Sequence, residues 1–184
     1  MENSEYRVNL VNEYLTKLNL SEYIKEFFFR RNILVTGGAG AIGSNLVIAL
    51  SELVGDQGMV IVLDNLSAIK GSDPIDFPSL SNVMFVQGDV RNDVDLKRVF
   101  RERPTIVYHL AAFFANQNSV DYPENSADVD INGIIKLLDL AQFTNVERFV
   151  YASSGCAIYG SYGEMPLKED FISMHLTTPY QINK

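Results

Sequence analysis

Two residues near the end of the sequence, Tyr180 and Lys184, have types and a spacing that suit acid–base chemistry. On a helix, residues four positions apart share a face, so the lysine ammonium can lie beside the tyrosine hydroxyl. An isolated phenol has a pKa of about 10, and a neighbouring positive charge favours the phenolate and moves that pKa toward working pH. Tyr180 could then take a proton from an alcohol while a hydride leaves the same carbon. This spacing is also common on exposed helices, so the pair needs a second signal.

A glycine-rich segment, RNILVTGGAGAIGSNL at 31–46, supplies that signal. Its glycines fit G-x-G-x-x-G from Gly38 and the looser G-x-x-G-x-x-G from Gly37, which permit a tight turn and a close approach to a pyrophosphate. Apolar residues at helical spacing follow, so the first free N–H groups and the positive end of the helix dipole face the turn. The predicted pyrophosphate-binding residues are Gly37, Gly38, Gly40, Ala41, Ile42 and Gly43.

An acidic residue ends the next apolar run and indicates which dinucleotide binds. Asp64 lies 21 residues after Gly43, close to the offset of about 20 at which an acid accepts hydrogen bonds from the adenosine ribose. A carboxylate there would repel a 2′-phosphate, so NAD is favoured over NADP. The alternative is an ordinary strand-end acid that begins a turn with Asn65. We predict that Asp64 and Asn65 bind the cofactor.

Further candidates follow the other apolar runs, because ligands of parallel α/β sheets bind outside the carboxyl ends of the strands. Asp89 is predicted to hydrogen-bond the adenine amino group, and Val90 to flank the ring. Small residues after the fourth run would let the cofactor pass close to the backbone. His109, inside that run, is interpreted as a hydrogen-bonded structural histidine. The remaining predicted cofactor-binding residues are Leu110, Ala111 and Ala112.

Alternating apolar runs and helical patterns predict the elements that position these residues. The fold class is α/β, a Rossmann-type doubly wound parallel sheet with strand order 3-2-1-4-5. Residues 65–82, which include Gly71, Pro74 and Pro78, are predicted to form an irregular connection. The predicted strands are 32–36, 59–64, 83–87, 105–110 and 147–153, and the predicted helices are 42–54, 93–102 and 127–144.

Residues 1–30 precede this domain, which is predicted to comprise residues 31–184. An apolar stripe through Val8 and Leu15 predicts one amphipathic helix, and Ser21 is placed to cap a second. The polar face carries both charges, which favours a helical extension packed on its own domain or on a second subunit over one that binds a membrane surface.

Bulk composition narrows the function classes. The 184 residues are 47% hydrophobic, enough for one core, and no uninterrupted apolar run of about 18 residues appears. With 23 acidic and 15 basic residues and no basic cluster, neither nucleic acid nor a membrane is expected as a partner. A single cysteine, Cys156, and two histidines predict no disulfide and no metal site. With no basic-then-apolar leader, the expected location is cytoplasmic.

Ordered motifs from Asn32 to Lys184 carry a family resemblance: TGGAGAIGSNL, LDNLS, GDVRN, HLAA, NGIIKLLDLA, RFVYASSGCAIYG, PLKED and PYQINK. The chain resembles the extended short-chain dehydrogenases/reductases, specifically the NAD-dependent epimerase/dehydratase branch that acts on nucleotide sugars. The resemblance implies that Ser154 contacts the reacting hydroxyl, with Ser153 as the alternative. It also implies that Tyr180 is the acid–base, that Lys184 supports it and binds the nicotinamide ribose, and that the protein is a homodimer.

The resemblance also guides the functional prediction. Related 4,6-dehydratases carry Thr-Asp-Glu or Thr-Ser-Glu where this chain has Ser154, Gly155 and Cys156, so elimination of water is disfavoured. We expect an NAD-dependent nucleotide-sugar epimerase that works through a keto-sugar intermediate. A 4,6-dehydratase, another sugar-nucleotide oxidoreductase or a fragment that binds NAD without catalysis are the alternatives. The family's asparagine is replaced by Asp130, and its C-terminal substrate region is missing here, so we expect a longer parent protein.

Overall fold

Five parallel strands form the centre of the molecule. In this computed structural model, which describes residues 2–68, 78–160 and 165–184, the sheet order is β3-β2-β1-β4-β5. This confirms the predicted topology. Gly71 and Pro74 of the predicted connection lie outside the described residues. The strands are β1 (Asn32–Thr36), β2 (Met59–Asp64), β3 (Val83–Gln87), β4 (Ile106–His109) and β5 (Arg148–Tyr151).

Both faces of the central strands are buried, which explains why their sequences are apolar throughout. Because side chains alternate along a strand, Leu34 of β1 packs into one core cluster while Ile33 and Val35 pack into another. All three side chains are fully buried. The two clusters lie on opposite faces of the sheet, as a doubly wound arrangement requires.

Helices cover these faces and connect the strands. The first helix after β1 begins directly behind the glycine turn, and the last one carries Tyr180. The helices are α1 (Glu2–Leu18), α2 (Glu22–Phe28), α3 (Ala41–Val54), α4 (Asp93–Phe100), α5 (Asn116–Asp121), α6 (Pro123–Ala127), α7 (Gly133–Phe143), α8 (Gly155–Tyr159) and α9 (Pro179–Asn183).

Several predicted boundaries differ from the structure. The strands predicted at 105–110 and 147–153 are shorter, because the ladder between β4 and β5 ends where His109 pairs with Tyr151. The long helix predicted at 127–144 is interrupted by a π-helical turn at Asp128–Asn132 before α7 begins. Such turns are typical of functional sites, and this one directs Asp130 into the interior, where the side chain is 2% exposed.

The N-terminal helices pack on α3. Ser21 caps α2, as predicted, with its hydroxyl accepting a hydrogen bond from the Ile24 N–H. Val8 and Leu15 of α1 are half-buried, and Arg7 Nη2 donates to Ser44 Oγ of α3 at 2.6 Å. No helix within the described ranges is long and apolar enough to cross a membrane.

Candidate cofactor site and active site

The glycine turn between β1 and α3 brings three chain segments into close contact. Gly37 has φ of +71°, and a Cβ on it would lie 2.6 Å from the backbone nitrogen of Ala111. A Cβ on Gly43 would overlap the carbonyl oxygen of Gly37, and one on Gly38 would lie 2.7 Å from a Val62 methyl. A Cβ at any of these three glycines would therefore clash within the protein, whereas one on Gly40 would meet only the Gly37 carbonyl oxygen, at 3.3 Å, among the described residues.

The N-terminus of α3 points its amides into the turn. Its N-cap is Gly40, which has no side chain to bond the first-turn N–H groups. By contrast, Asn92 caps α4 and Thr178 caps α9 with side-chain oxygens. Open amides at the positive end of a helix of 14 residues form an anion site suited to a pyrophosphate.

One cavity of about 580 Å³ extends from the glycine turn to α9, within the usual range for ligand pockets. Most of the predicted site residues line it, but Gly38, Asp89 and Ser154 do not. Several other lining residues were not predicted from the sequence. Two of them, Phe113 and Phe114, directly follow the HLAA motif, and their position just after the end of β4 could have indicated that they line the cavity. The predicted lining residues are Gly37, Gly40, Ala41, Ile42, Gly43, Asp64, Asn65, Val90, Leu110, Ala111, Ala112, Tyr180, Lys184 and Ser153, the alternative to Ser154; those not predicted include Ala39, Arg91, Phe113, Phe114 and Asn125.

Asp64 at the end of β2 joins the turn to the predicted ribose site. Its Oδ2 accepts the Ala39 N–H at 2.9 Å, and its Oδ1 accepts the Leu66 N–H at 2.8 Å. Each carboxylate oxygen retains a second acceptor site. The carboxylate therefore retains acceptor sites for further donors, and it brings a negative charge to this part of the cavity wall.

Asp89 is engaged by its neighbours. Its two oxygens accept hydrogen bonds from Arg91 Nε, Arg91 Nη2, the Arg91 N–H and Asn65 Nδ2 at 2.8–2.9 Å. The hydrogen bond from the Arg91 guanidinium is the largest cause that lowers the pKa of Asp89 to about 2. These four bonds use the carboxylate's acceptor capacity. The predicted bond from an adenine amino group would have to displace one of them, and Arg91, not Asp89, faces the cavity.

Helix α9 places Tyr180 through strong local signals. Thr178 and Gln181 form a capping box, and Pro179 occupies the first turn, so the helix begins at a defined residue. The Tyr180 N–H donates to Ser119 Oγ at 3.0 Å, and the ring packs edge-on against Phe114. The tyrosine is 8% exposed and faces the cavity.

The ionisation of Tyr180 depends on burial and on several neighbouring groups. Burial raises the pKa of Tyr180, a hydrogen bond with Ser154 lowers it, and the charges of Cys156 and Asp130 raise it further. The ammonium of Lys184 lies over the ring of Tyr151 at 4.5 Å from its centroid and is not among these causes. In the protein without cofactor, burial is the largest influence on the pKa of Tyr180, and the expected lowering by Lys184 together with the nicotinamide ring stays a prediction.

Of the two serines after β5, Ser154 is the one that contacts Tyr180. Its hydroxyl is close enough to the phenol to lower the pKa of Tyr180 and lies 3.0 Å from Cys156 Sγ. Ser153 instead donates to the Lys184 carbonyl oxygen at 3.1 Å. The hydroxyl pair of Ser154 and Tyr180 is the arrangement that could bind and deprotonate an alcohol.

His109 lies beneath this site as a buried, uncharged residue. Its Nδ1 is 2.6 Å from Thr36 Oγ1, and its ring stacks on Tyr151. Burial, assisted by the charge of Lys184, lowers the pKa of His109 to about 4. The histidine is 1% exposed and is absent from the cavity wall, which agrees with its interpretation as structural.

The low pKa of His109 predicts a loss of stability on mild acidification. Between pH 6.5 and about 4 the unfolded protein binds more protons at this residue than the folded one, so stability falls as the pH falls. We expect a loss of about 3 kcal/mol across that window. Denaturant unfolding at several pH values checks this, with His109→Gln as the variant that cannot titrate. Equal slopes in both proteins would contradict the assignment.

The parallel sheet, the glycine turn and the cavity at the carboxyl ends of the strands together define a Rossmann-type dinucleotide-binding protein. The chain belongs to the NAD dependent epimerase/dehydratase family, whose family model matches residues 33–184. The dependence of this family on NAD agrees with the predicted cofactor. Among the described residues, no group of three or more His, Cys, Asp or Glu side chains could hold a metal ion.

Several known proteins resemble the chain. An epimerase from Methanothermobacter thermautotrophicus is 49% identical, with a TM-score of 0.78, over 86% of this chain and 46% of that one. A Thermus thermophilus UDP-glucose 4-epimerase solved with NAD is 37% identical, with a TM-score of 0.70, over 83% and 47%. A UDP-glucose 4-epimerase from Mycolicibacterium smegmatis is 34% identical over 82% and 47%. The chain thus spans about half the length of these relatives.

Proposed function

We propose that this chain is the cofactor-binding half of an NAD-dependent nucleotide-sugar epimerase. The observation that carries the proposal is Tyr180, which lines the end of the cavity that begins at the glycine turn and whose pKa is lowered by the neighbouring Ser154 hydroxyl. Relatives named as UDP-glucose 4-epimerases make a UDP-linked sugar the first substrate to consider. The homodimer and the cytoplasmic location stay predictions.

The residues present fit NAD along the whole cavity. The open amides of α3 would hold the pyrophosphate, and Asp64 would accept the ribose hydroxyls. Lys184, which also lines the cavity, would hold the nicotinamide ribose. When bound there, NAD supplies a reversible acceptor for a hydride from the sugar carbon.

Residues of this chain would transfer the proton of the sugar hydroxyl. Tyr180 accepts it from the sugar hydroxyl as the carbon is oxidised to a ketone, and returns it when the ketone is reduced from the opposite face. Ser154, whose hydroxyl lies beside the phenol, orients the same sugar hydroxyl. Because burial raises the pKa of Tyr180, positive charge from Lys184 and the cofactor ring would be needed to favour its deprotonation.

The residues after Ser154 favour epimerisation over dehydration. Elimination of water needs an additional acid and base, but the two positions that follow are Gly155 and Cys156. Both lie in α8, and the Cys156 thiol contacts Ser154 and not a basic group within the described residues. The proposed chemistry is therefore limited to reversible oxidation at one carbon.

The function is tested with the whole polypeptide that carries this chain, using a panel of UDP-sugars in which each epimer is supplied separately. We expect each pair to reach the same equilibrium mixture from both sides without added NAD, and deuterium on the reacting carbon to stay in the sugar. A 4-keto-6-deoxy product would show a dehydratase. A protein that retains NAD but converts no sugar would support the alternative of cofactor binding without catalysis.

Asp64→Ala is expected to weaken NAD binding by about tenfold, since a hydrogen bond to a charged group contributes about 1.5–3 kcal/mol. It should also reduce the ratio of the affinity for NAD to the affinity for NADP, because the negative charge that repels the 2′-phosphate is removed. Isothermal titration with both nucleotides measures the two effects. Asp56→Ala, at an exposed position remote from the cavity wall, makes the same change in net charge and should alter neither value. An unchanged preference in the Asp64 variant would remove the argument for NAD.

A further inference from the structure

Asp130 is a buried carboxylate in the group of hydrogen bonds that contacts α9. Its Oδ1 accepts the Phe113 N–H at 2.8 Å, and its Oδ2 accepts the Ser126 hydroxyl at 3.1 Å. A carboxylate that is 2% exposed is costly to maintain unless hydrogen bonds and opposite charge compensate it. The π-helical turn is what brings this side chain inward.

The contacts of Asp130 continue into the helix that carries Tyr180. Ser126 Oγ donates to Asp130 and accepts a hydrogen bond from Asn183 Nδ2 at 3.0 Å. A chain of hydrogen bonds therefore joins Phe113, which lines the cavity, to Asn183 near the end of α9. Both Phe113 and Tyr180 line the same cavity.

Asp130 also interacts electrostatically with the reaction centre. Within the described residues, the titratable groups that interact with it are Tyr180 of α9, Lys184 directly after α9, and Tyr151 of β5. Burial raises the pKa of Asp130, whereas its hydrogen bonds and the charge of Lys184 lower it. In turn, the charge of Asp130 raises the pKa of Tyr180 and opposes the fall that burial causes in the pKa of Lys184.

We propose that Asp130 is a positioning residue of the reaction centre, which fixes α9 against the cavity wall through Ser126 and Asn183 and sets a negative charge opposite Lys184. It acts through these neighbours and touches no reacting atom. This inference rests on the proposed function, because it assigns a task to Asp130 only if Tyr180 is the acid–base. The related proteins that this chain resembles have an asparagine at this position. An asparagine amide is uncharged, so only the acid at position 130 can supply this negative charge.

The test is a titration of the Tyr180 phenol that does not depend on turnover. The sequence contains nine tyrosines, so the contribution of Tyr180 is obtained by subtracting the ultraviolet phenolate titration of Tyr180→Phe from that of the parent, with and without NAD. In the Asp130→Asn background, we expect the Tyr180 midpoint to move to lower pH, because a negative charge that opposes phenolate formation is gone.

Two further variants separate positioning from general stability. Ser126→Ala and Asn183→Ala interrupt the chain to α9, so Tyr180 should become less buried and its midpoint should also move to lower pH. Ser51→Ala is the matched control. Ser51 is a buried serine of α3 whose hydroxyl donates to the side chain of Asn82, and it takes no part in the hydrogen bonds of α9 within the described residues. It should lower the melting temperature without moving the Tyr180 midpoint.

The proposal is overturned if Asp130→Asn melts at a lower temperature but leaves the Tyr180 midpoint where it was, or if Ser51→Ala moves the midpoint as far as Ser126→Ala does. If Asp130→Asn does not fold, Ser126→Ala and Asn183→Ala decide the question on the same criterion. Failure of the proposed epimerase activity would be seen in the sugar panel and would leave this titration readable.

Discussion

Replacing Tyr180 with phenylalanine is expected to lower turnover of a nucleotide sugar by at least about a hundredfold, the usual contribution of a positioned acid–base group. The ring would keep its place, since its packing against Phe114 and the hydrogen bond from its backbone N–H to Ser119 do not involve the hydroxyl. Bound NAD and the melting temperature should therefore be nearly unchanged. Steady-state kinetics on the whole polypeptide, with the NAD content measured after denaturation, check both statements.

Tyr108→Phe is the matched control for this prediction. Tyr108 is also a partly buried tyrosine whose pKa is raised by burial, but it packs in the cluster on the other face of the sheet and is not part of the cavity wall. It should retain full activity. Comparable losses in the two variants, or full activity in Tyr180→Phe, would contradict the assignment of Tyr180 as the acid–base.

Gly43→Ala is expected to destabilise the domain by at least about 2 kcal/mol, in the range for overpacked sites, and to abolish NAD binding. The added methyl would overlap the carbonyl oxygen of Gly37 and lie 2.7 Å from the Cα of Gly38. Backbone atoms on both sides cannot give way as a flexible side chain can, so α3 would have to move away from the turn. Denaturant unfolding and nucleotide titration measure the two losses.

Gly40→Ala separates packing from ligand contact within the same turn. Its backbone, with φ of −70° and ψ of 172°, suits alanine, and among the described residues its methyl would meet only the Gly37 carbonyl oxygen, at 3.3 Å. We expect stability within about 1 kcal/mol of the parent but markedly weaker NAD binding, because the methyl projects at the open helix N-terminus. If Gly40→Ala unfolded the protein while Gly43→Ala did not, the division of roles would be reversed.

The sheet could be predicted from local pattern because each strand is buried on both faces. Runs such as ILVT and VIVL have no polar side to present to solvent, which restricts them to the centre of a helix-covered parallel sheet. The order of the strands followed from the right-handed crossover rule. The ends of β4 and β5 could not be read in this way, since a strand ends where its partner stops pairing and not where apolar residues stop.

Local sequence also indicated which residues line the cavity, but not which neighbours each one contacts. Asp89 was predicted as an adenine ligand because it follows β3, yet Arg91, two residues later, folds back and occupies its carboxylate. The glycines were interpreted as room for a phosphate, whereas three of the four are needed by contacts within the protein. Both differences arise because spacing along the chain does not show which neighbours compete for a group.

By itself, the sequence determined the fold, the location of the glycine turn and the presence of both Tyr180 and Lys184 in the wall of one cavity. These follow from periodicity, glycine spacing and helical geometry, which act over a few residues. The tertiary structure decided which groups control ionisation: burial and Asp130 raise the pKa of Tyr180, and Ser154 lowers it, while Lys184 lies over Tyr151. Charge and desolvation act through space, and the groups concerned come from β5, the π-helical turn and α9, which only folding brings together.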